Sequence, residues 1–439
     1  MQRSGEMNCC YSEKNVIFMK ISIIGTGYIG SVTGACFAEM GHQIIFVGRD
    51  TKKLDLIKSG KSPIFEPGLD QLLLKNQDRI TTTTDIAGAV RNAEITFIGV
   101  GTPPREDGSS DLSQIETVSH SIGKALRSDT KYHTIVTKST VLPGTIEDLI
   151  IPILEKESGK KAFVDFGVAS NPEFLKEGTA IEDFFKTDRV VIGAQDQKSR
   201  DVLENLYKPL NVPIFKTTLR TSEMIKFASN AFLATKISFA NEIGNLCKEL
   251  GIDSYAVFEG VGLDTRINPK FFRTGIGFGG SCFPKDVCAL IAHAKSKGIT
   301  TKVLNSVMAI NDDQPKRMIA LLKKHINPRN RTIGVLGLAF KPDTDDIREA
   351  RAIPIINMLL KAGAHVKVYD PVAMDNFRLK FPDLHYTSSA SEVLTADAVL
   401  IVTEWKEFED LDCHGKLVID GRRIEKARKE ASVYEGVCW

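Results

Sequence analysis

The sequence lacks the features that would place it outside the cell or in a membrane. Its eight cysteines form no CxxC pair and no regular framework. That excludes a disulfide scaffold and a structural zinc site, and reads as reduced thiols in a cytoplasm. No apolar run approaches the roughly 18 residues that a spanning helix needs. Neither sign of charge is in surplus: 57 basic residues face 55 acidic ones, for a formal net charge of +2. No global field therefore points to nucleic acid or to a membrane surface. No metal site is expected. At 439 residues the chain is too long for one core, so two or three domains are expected. Residues 1–18 show no periodicity, and their apolar stretch is too short for a secretory h-region. They read as a flexible N-terminal extension.

The strongest local pattern is Gly275-Ile276-Gly277-Phe278-Gly279-Gly280-Ser281-Cys282-Phe283-Pro284-Lys285-Asp286. Its four glycines in six residues permit positive φ and close backbone approach to a ligand. Pro284 suits the first turn of a helix, which puts Cys282 at a helix N-terminus, where the macrodipole favours the thiolate. Asp286, four residues on, is near enough to act on a water beside that thiol. The alternative is a glycine-rich turn with a buried structural cysteine.

In the first half, the apolar run Lys20–Ile24 predicts a buried parallel strand leading into Gly25-Thr26-Gly27-Tyr28-Ile29-Gly30 and a helix that stops at Gly41. Strand before and helix after make GxGxxG a dinucleotide signature, with phosphates held at the helix N-terminus. The next strand, 44–47, ends in Gly48-Arg49-Asp50 where an acid for the adenosine ribose is expected. Arg49 can accept a 2′-phosphate and favour NADP, or Asp50 can reach the ribose; NAD is the expected cofactor and NADP the alternative. Strands at 95–100, 134–138 and 166–169 continue a βαβ rhythm that implies a parallel sheet. Polar clusters fall at the strand ends: Thr102 in GTPP, Lys138-Ser139-Thr140, and Asn171-Pro172-Glu173-Phe174-Leu175-Lys176-Glu177.

A helix is predicted from Ser222 to about Leu250, with Glu223, Lys226 and Asn230 on one face. Because the helix is apolar nearly all round, these residues are expected to face a pocket, where a lysine can stabilise an oxyanion. After a linker at 327–330, strands at 332–340, 366–369, 398–402 and 417–419 predict a second Rossmann-like unit without a full GxGxxG. Lys341, Arg348, Arg422 and Arg423 lie at strand ends and suit phosphates.

Taken together, GTGYIG, SPIFEPGL, GTPP, KSTVLPGT, NPEFLKEG, the Lys226/Asn230 helix, GFGGSCFPKD, LGLAFKPDTDDIRE, TEW and DGRR resemble the nucleotide-sugar 6-dehydrogenases of the UDP-glucose/GDP-mannose dehydrogenase family, over about residues 19–425. The resemblance implies an α/β chain of two Rossmann-like doubly wound domains joined by a long central helix and a helical dimerisation region. The expected boundaries are an NAD-binding domain at 19–216, a central helical domain with the cysteine at 217–326, and a nucleotide-sugar (UDP)-binding domain at 327–439.

It further implies oxidation of the sugar C6 alcohol to a carboxylate in two NAD-dependent steps. UDP-glucose is the expected substrate, and GDP-mannose or UDP-N-acetylmannosamine the alternative. By resemblance Cys282 forms a thiohemiacetal and then a thioester. Lys226 and Asn230 stabilise oxyanions, and Asp286, Glu173 and Thr140 handle protons and water. The cofactor set is Gly25, Gly27, Tyr28, Ile29, Gly30, Arg49, Asp50, Thr102, Thr140, Glu177 and Arg348. The sugar-nucleotide set is Glu173, Phe174, Leu175, Lys176, Lys226, Asn230, Phe278, Gly279, Lys341, Arg422 and, reaching into a neighbouring subunit, Arg266. A homodimer or higher homo-oligomer follows, with no nucleic-acid or membrane partner. Competing readings are a two-electron hydroxyacid dehydrogenase, which needs no thiol, and a silent dinucleotide sensor, which needs neither Cys282, Lys226 nor Asp286.

Overall fold

The computed structural model describes residues 18–128 and 131–439. The expectation for the N-terminal extension therefore lies, Phe18 apart, outside the described residues. The chain divides into two compact units. One runs to Pro103 and resumes over Asp111–Lys226; the other takes Pro104–Ser110 with Phe227–Trp439.

Among its described residues the first unit holds one sheet of eight strands: β1 (Lys20–Ile24), β2 (Gln43–Val47), β3 (Ile80–Thr83), β4 (Ile95–Ile98), β5 (Thr134–Thr137), β6 (Gly167–Ser170), β7 (Val190–Ala194) and β8 (Ile214–Thr217), in the order β3-β2-β1-β4-β5-β6-β7-β8. β4 and β5, written ITFI and TIVT, are buried along their whole length, as strands covered on both faces must be. Successive side chains of β1 serve opposite faces. Ile23 packs with Phe37, Phe97 and Tyr207, while Ile24 packs with Ile98, Ile122 and Ile135.

The parallel sheet expected from the βαβ rhythm holds from β1 to β6, but β7 pairs antiparallel with β6. The only helix between them, Ala180–Phe185, has six residues. At 1.5 Å per residue it spans roughly 9 Å, too short to carry the chain back along the strand, so the chain re-enters from the end it left.

The second unit repeats the order around six strands: β9 (Thr332–Leu336), β10 (His365–Tyr369), β11 (His385–Tyr386), β12 (Ala398–Ile401), β13 (Leu417–Asp420) and β14 (Val433–Gly436), arranged β11-β10-β9-β12-β13-β14. All its described pairings are parallel. In both sheets the order reverses direction beside the first strand of the unit. Ligands bind at such switch points in open α/β sheets.

The 31-residue helix Leu219–Glu249 leaves the first unit at Lys226 and continues in the second. Glu223, Lys226 and Asn230 are all buried on it. Glu223 takes N–H bonds from Gly144 and Ile146 at 2.7 and 2.9 Å, so it anchors a loop. No described helix is long and apolar enough to cross a membrane.

Candidate active site

In the first unit the GxGxxG turn joins β1 to the helix Tyr28–Glu39. Gly25 has φ +117, and a Cβ there would lie 2.5 Å from the carbonyl oxygen of Gly99 on the adjacent β4 loop. A Cβ at Gly30 would collide with the Gly25 carbonyl, whereas one at Gly27 would meet nothing within 4 Å. Gly30 thus closes onto the turn's own backbone, Gly25 onto the neighbouring β4 loop, and Gly27 opens onto free space, which fits a dinucleotide pyrophosphate at the helix N-terminus.

Gly48 follows β2. A Cβ there would already touch Thr26 at 3.0 Å, so a larger residue such as the expected acid would crowd the turn. Asp50 caps the helix Thr51–Lys58 by accepting from the Lys52 and Lys53 N–H groups. Arg49 beside it is exposed.

At the ends of β4 and β5, the Thr102 hydroxyl donates to the Thr140 carbonyl at 3.0 Å. The loop after β6 brings Glu173 to Lys226, with Nζ to Oε1 at 3.0 Å, and the second Glu173 oxygen takes the Leu175 N–H at 2.5 Å. Burial on its own would raise the Glu173 pKa. The Lys226 ammonium, the Leu175 N–H and the nearby Lys138 outweigh it and hold the carboxyl below its ordinary value. Lys138 is itself fully enclosed, bonded to Asn171 and Tyr207. Burial and the neighbouring Lys226 lower its pKa to about 8, against the pull of Glu173. The Phe174 ring carries Arg189 at 3.9 Å on its face and Lys226 at 5.4 Å. Lys176 pairs with Asp183 at 2.9 Å.

In the second unit Cys282 is the N-cap of the helix Phe283–Ser296, with Pro284 in its first turn. The thiol is half-buried, 3.5 Å from the Ser281 hydroxyl. Asp286 is 1% exposed and held from two sides, by Asn230 Nδ2 at 2.6 Å and Lys285 Nζ at 2.5 Å. The structure therefore brings Asn230 and Asp286 together one helical turn beyond Cys282. It gives Lys226, one turn before Asn230 on the central helix, to Glu173.

The glycine loop before Cys282 is pinned by neutral amides. Asn241 accepts from the Gly275 N–H at 2.8 Å, Asn311 bonds both the N–H and the C=O of Phe278, and Gln314 donates to the Gly275 carbonyl. Gly275, Gly277 and Gly280 all have positive φ. The Phe278 ring packs in an apolar cluster with Ala231, Val287 and Val307. Gly279 abuts the Glu349 carbonyl, and Gly280 N–H donates to the Arg348 carbonyl at 2.9 Å.

The remaining basic residues have partners of their own. Arg348 pairs with Asp346, and Lys341 lies 6.0 Å from the Phe340 ring centroid. Arg422 bonds the Val402 carbonyl at 2.7 Å and pairs with Glu404 at 3.2 Å. Arg423 is committed to Asp253 and Glu425 and stacks 4.1 Å over Tyr255, so its guanidinium braces the fold. Arg266 is exposed and paired with Asp264.

Lys285 and the amides Asn241, Asn311 and Gln314 escaped sequence reasoning. Only the spacing of Asn311 and Gln314, three apart on one helix face, could have flagged them.

A dinucleotide turn in one Rossmann unit and a cysteine at a helix N-terminus in the other define a dinucleotide-dependent oxidoreductase. The chain belongs to the UDP-glucose/GDP-mannose dehydrogenase family. It matches that family's NAD binding domain at residues 19–211, its central domain at 220–313 and its UDP binding domain at 334–427. It is 45% identical to a UDP-glucose 6-dehydrogenase of Haloferax volcanii, covering 95% of this chain and 100% of that one. A GDP-mannose 6-dehydrogenase of Pseudomonas aeruginosa is 39% identical, covering 96% and 100%. The structure of a UDP-glucose dehydrogenase from Pyrobaculum islandicum superposes with a TM-score of 0.94 at 43% identity, covering 97% of this chain and 99% of that one. The resemblance read from the motifs is borne out.

Proposed function

We propose that the chain oxidises the C6 alcohol of UDP-glucose to the carboxylate, as a cytoplasmic UDP-glucose 6-dehydrogenase. The observation that carries the reading is Cys282 capping a helix with Asp286, Asn230 and Lys285 joined one turn below it. The name shared with the relatives supports the substrate; GDP-mannose is the second reading, from the GDP-mannose 6-dehydrogenase at 39% identity.

Gly25, Gly27, Tyr28, Ile29, Gly30, Arg49, Asp50, Thr102, Thr140, Glu177 and Arg348 would hold NAD, which when bound supplies the hydride acceptor for both oxidations. Cys282 Sγ adds to the C6 aldehyde carbon: the S–C bond forms as the carbonyl π pair moves to oxygen, which takes a proton. The Lys226 ammonium and the Asn230 amide donate to the oxygen that becomes negative. After the second oxidation a thioester links C6 to sulfur. A water oriented by Asp286, with Glu173 and Thr140 assisting proton transfer, adds to that carbon. The C–S bond then breaks, leaving the carboxylate and the thiolate. Phe174, Leu175, Lys176, Phe278, Gly279, Lys341 and Arg422 hold the sugar nucleotide, and the exposed Arg266 serves the site of a second copy. Phe232, Phe239 and Leu246, exposed and seven residues apart on the central helix, support a homodimer or higher homo-oligomer.

The test is NADH formed per UDP-glucose consumed. Two equivalents, abolished in Cys282→Ser, support the reading. One equivalent, indifferent to Cys282, sinks it, and turnover of GDP-mannose alone moves the substrate.

A further inference from the structure

The segment Ser62-Pro63-Ile64-Phe65-Glu66-Pro67-Gly68-Leu69 has no part in the mechanism above, yet Glu66 is buried there, 6% exposed. Its carboxylate is saturated. Oε1 accepts from the Ala180 N–H at 2.7 Å, and Oε2 accepts from the Gly178 N–H at 2.6 Å and from the Tyr28 hydroxyl. The Gly178 N–H also reaches the Tyr28 oxygen, at 3.0 Å. Tyr28 is the first residue of the helix that follows the GxGxxG turn. Gly178 directly follows Lys176-Glu177, and Ala180, after Thr179, begins the helix Ala180–Phe185.

One carboxylate therefore ties the dinucleotide turn to the loop that ends the NPEFLKEG stretch. Burial, the bond to Glu66 and the charges of Glu66 and Glu177 all push the Tyr28 pKa up, so the phenol keeps its proton and stays a donor. On the far side the same loop is fixed by Asp183, which takes the Lys176 N–H at 2.9 Å and pairs with its ammonium. A carboxylate accepting three charge-assisted bonds is a rigid brace, and replacing it by a group with fewer acceptor sites frees at least one N–H.

We propose that Glu66 is a positioning residue that locks the Lys176–Gly178 loop onto Tyr28 and thereby sets dinucleotide affinity. The proposal rests on the NAD reading of the first unit. Glu66 holds Gly178, Ala180 and Tyr28, whereas the sugar-nucleotide residue Lys176 is held independently by Asp183, so the loss of Glu66 is read in dinucleotide affinity first.

The experiment measures NADH binding by fluorescence titration, alongside KM for NAD and for UDP-glucose, in the full chain and in Glu66→Gln and Tyr28→Phe. The expected result is an NADH Kd raised at least tenfold in Glu66→Gln and about threefold in Tyr28→Phe, with KM for UDP-glucose within twofold of the parent. The double variant should be no worse than Glu66→Gln, since both residues act through one brace. An unchanged NADH Kd in folded Glu66→Gln, or equal rises in both KM values, overturns the proposal. If Glu66→Gln fails to fold, Tyr28→Phe decides alone: an unchanged Kd overturns it. A parent chain that binds no NADH at all sinks the NAD reading instead.

Discussion

Lys226 Nζ stands 3.0 Å from Glu173 Oε1, and each side chain is only 5% exposed. Removing one member of a buried pair strands the other charge, at a cost of about 3–5 kcal/mol, while replacing both by apolar residues is often nearly neutral. Lys226→Met and Glu173→Leu should each lose about that much in urea unfolding. The double variant should recover most of the stability and remain inactive. Equal stability in the single variants and the parent would refute the pairing.

Asp286 is gripped by Asn230 and Lys285. Asp286→Asn is expected to lower kcat by about 10²–10⁴, the usual contribution of a positioned acid or base, with thioester hydrolysis the slowed step. Acid-quenched enzyme should then carry the sugar on Cys282, visible by intact-protein mass spectrometry. A full kcat would remove Asp286 from the mechanism.

Gly280 has φ +84, and a Cβ would lie 2.7 Å from Phe340 Cε2. Gly280→Ala should cost about 1–3 kcal/mol of strain and lower kcat through the displaced Cys282 loop. Phe340→Leu in the same chain should relieve part of the loss, read by thermal melting and by assay.

His42 is buried with its pKa lowered to about 4 by desolvation. An unfolded histidine titrates near 6.5, so between about pH 6.5 and 4 the unfolded chain binds more protons, and stability falls as pH drops through that window. The shift corresponds to about 3 kcal/mol. His42→Gln should flatten this limb of the stability profile. The depressed Glu173 adds a separate loss as pH falls below the ordinary carboxylate range, and that loss should persist in the variant.

Arg49 is exposed beside Gly48 at the end of β2. Arg49→Glu should reduce kcat/KM with NADP relative to NAD by at least tenfold, through repulsion of a 2′-phosphate. An unaltered ratio would show that Arg49 does not face the adenosine ribose.

The legible parts of the sequence were those where one local rule decides the outcome. Apolar runs opening into glycine turns gave β1, β4 and β9, and Pro284 placed Cys282 on a helix N-terminus. Strand β3 was missed because ITTT has no apolar alternation and is held by pairing with β2. The reversed β7 depends on the length of a six-residue helix, which periodicity does not report. Neighbours on a helix do not face each other, so nothing marked Lys285 as a partner of Asp286; its long stem folds back to reach it. Glu66 sits in an aperiodic loop, and its partners are 38 residues before it and 112 and 114 residues after it.

Three side-chain amides support the Gly275–Gly280 loop, those of Asn241, Asn311 and Gln314, and the Cys438 thiol, its pKa pushed up to about 11 by burial, adds a bond to the Gly275 carbonyl. Amides neither gain nor lose protons across the range in which carboxylates, thiols and lysines titrate. These supports keep their protons through the neutral range, so there acidity reaches the nucleophile through the sulfur and its acid partners. Near neutral pH, where the fold is stable, a pH–rate profile of this chain then reports on reacting groups rather than on a changing shape of the loop that presents them.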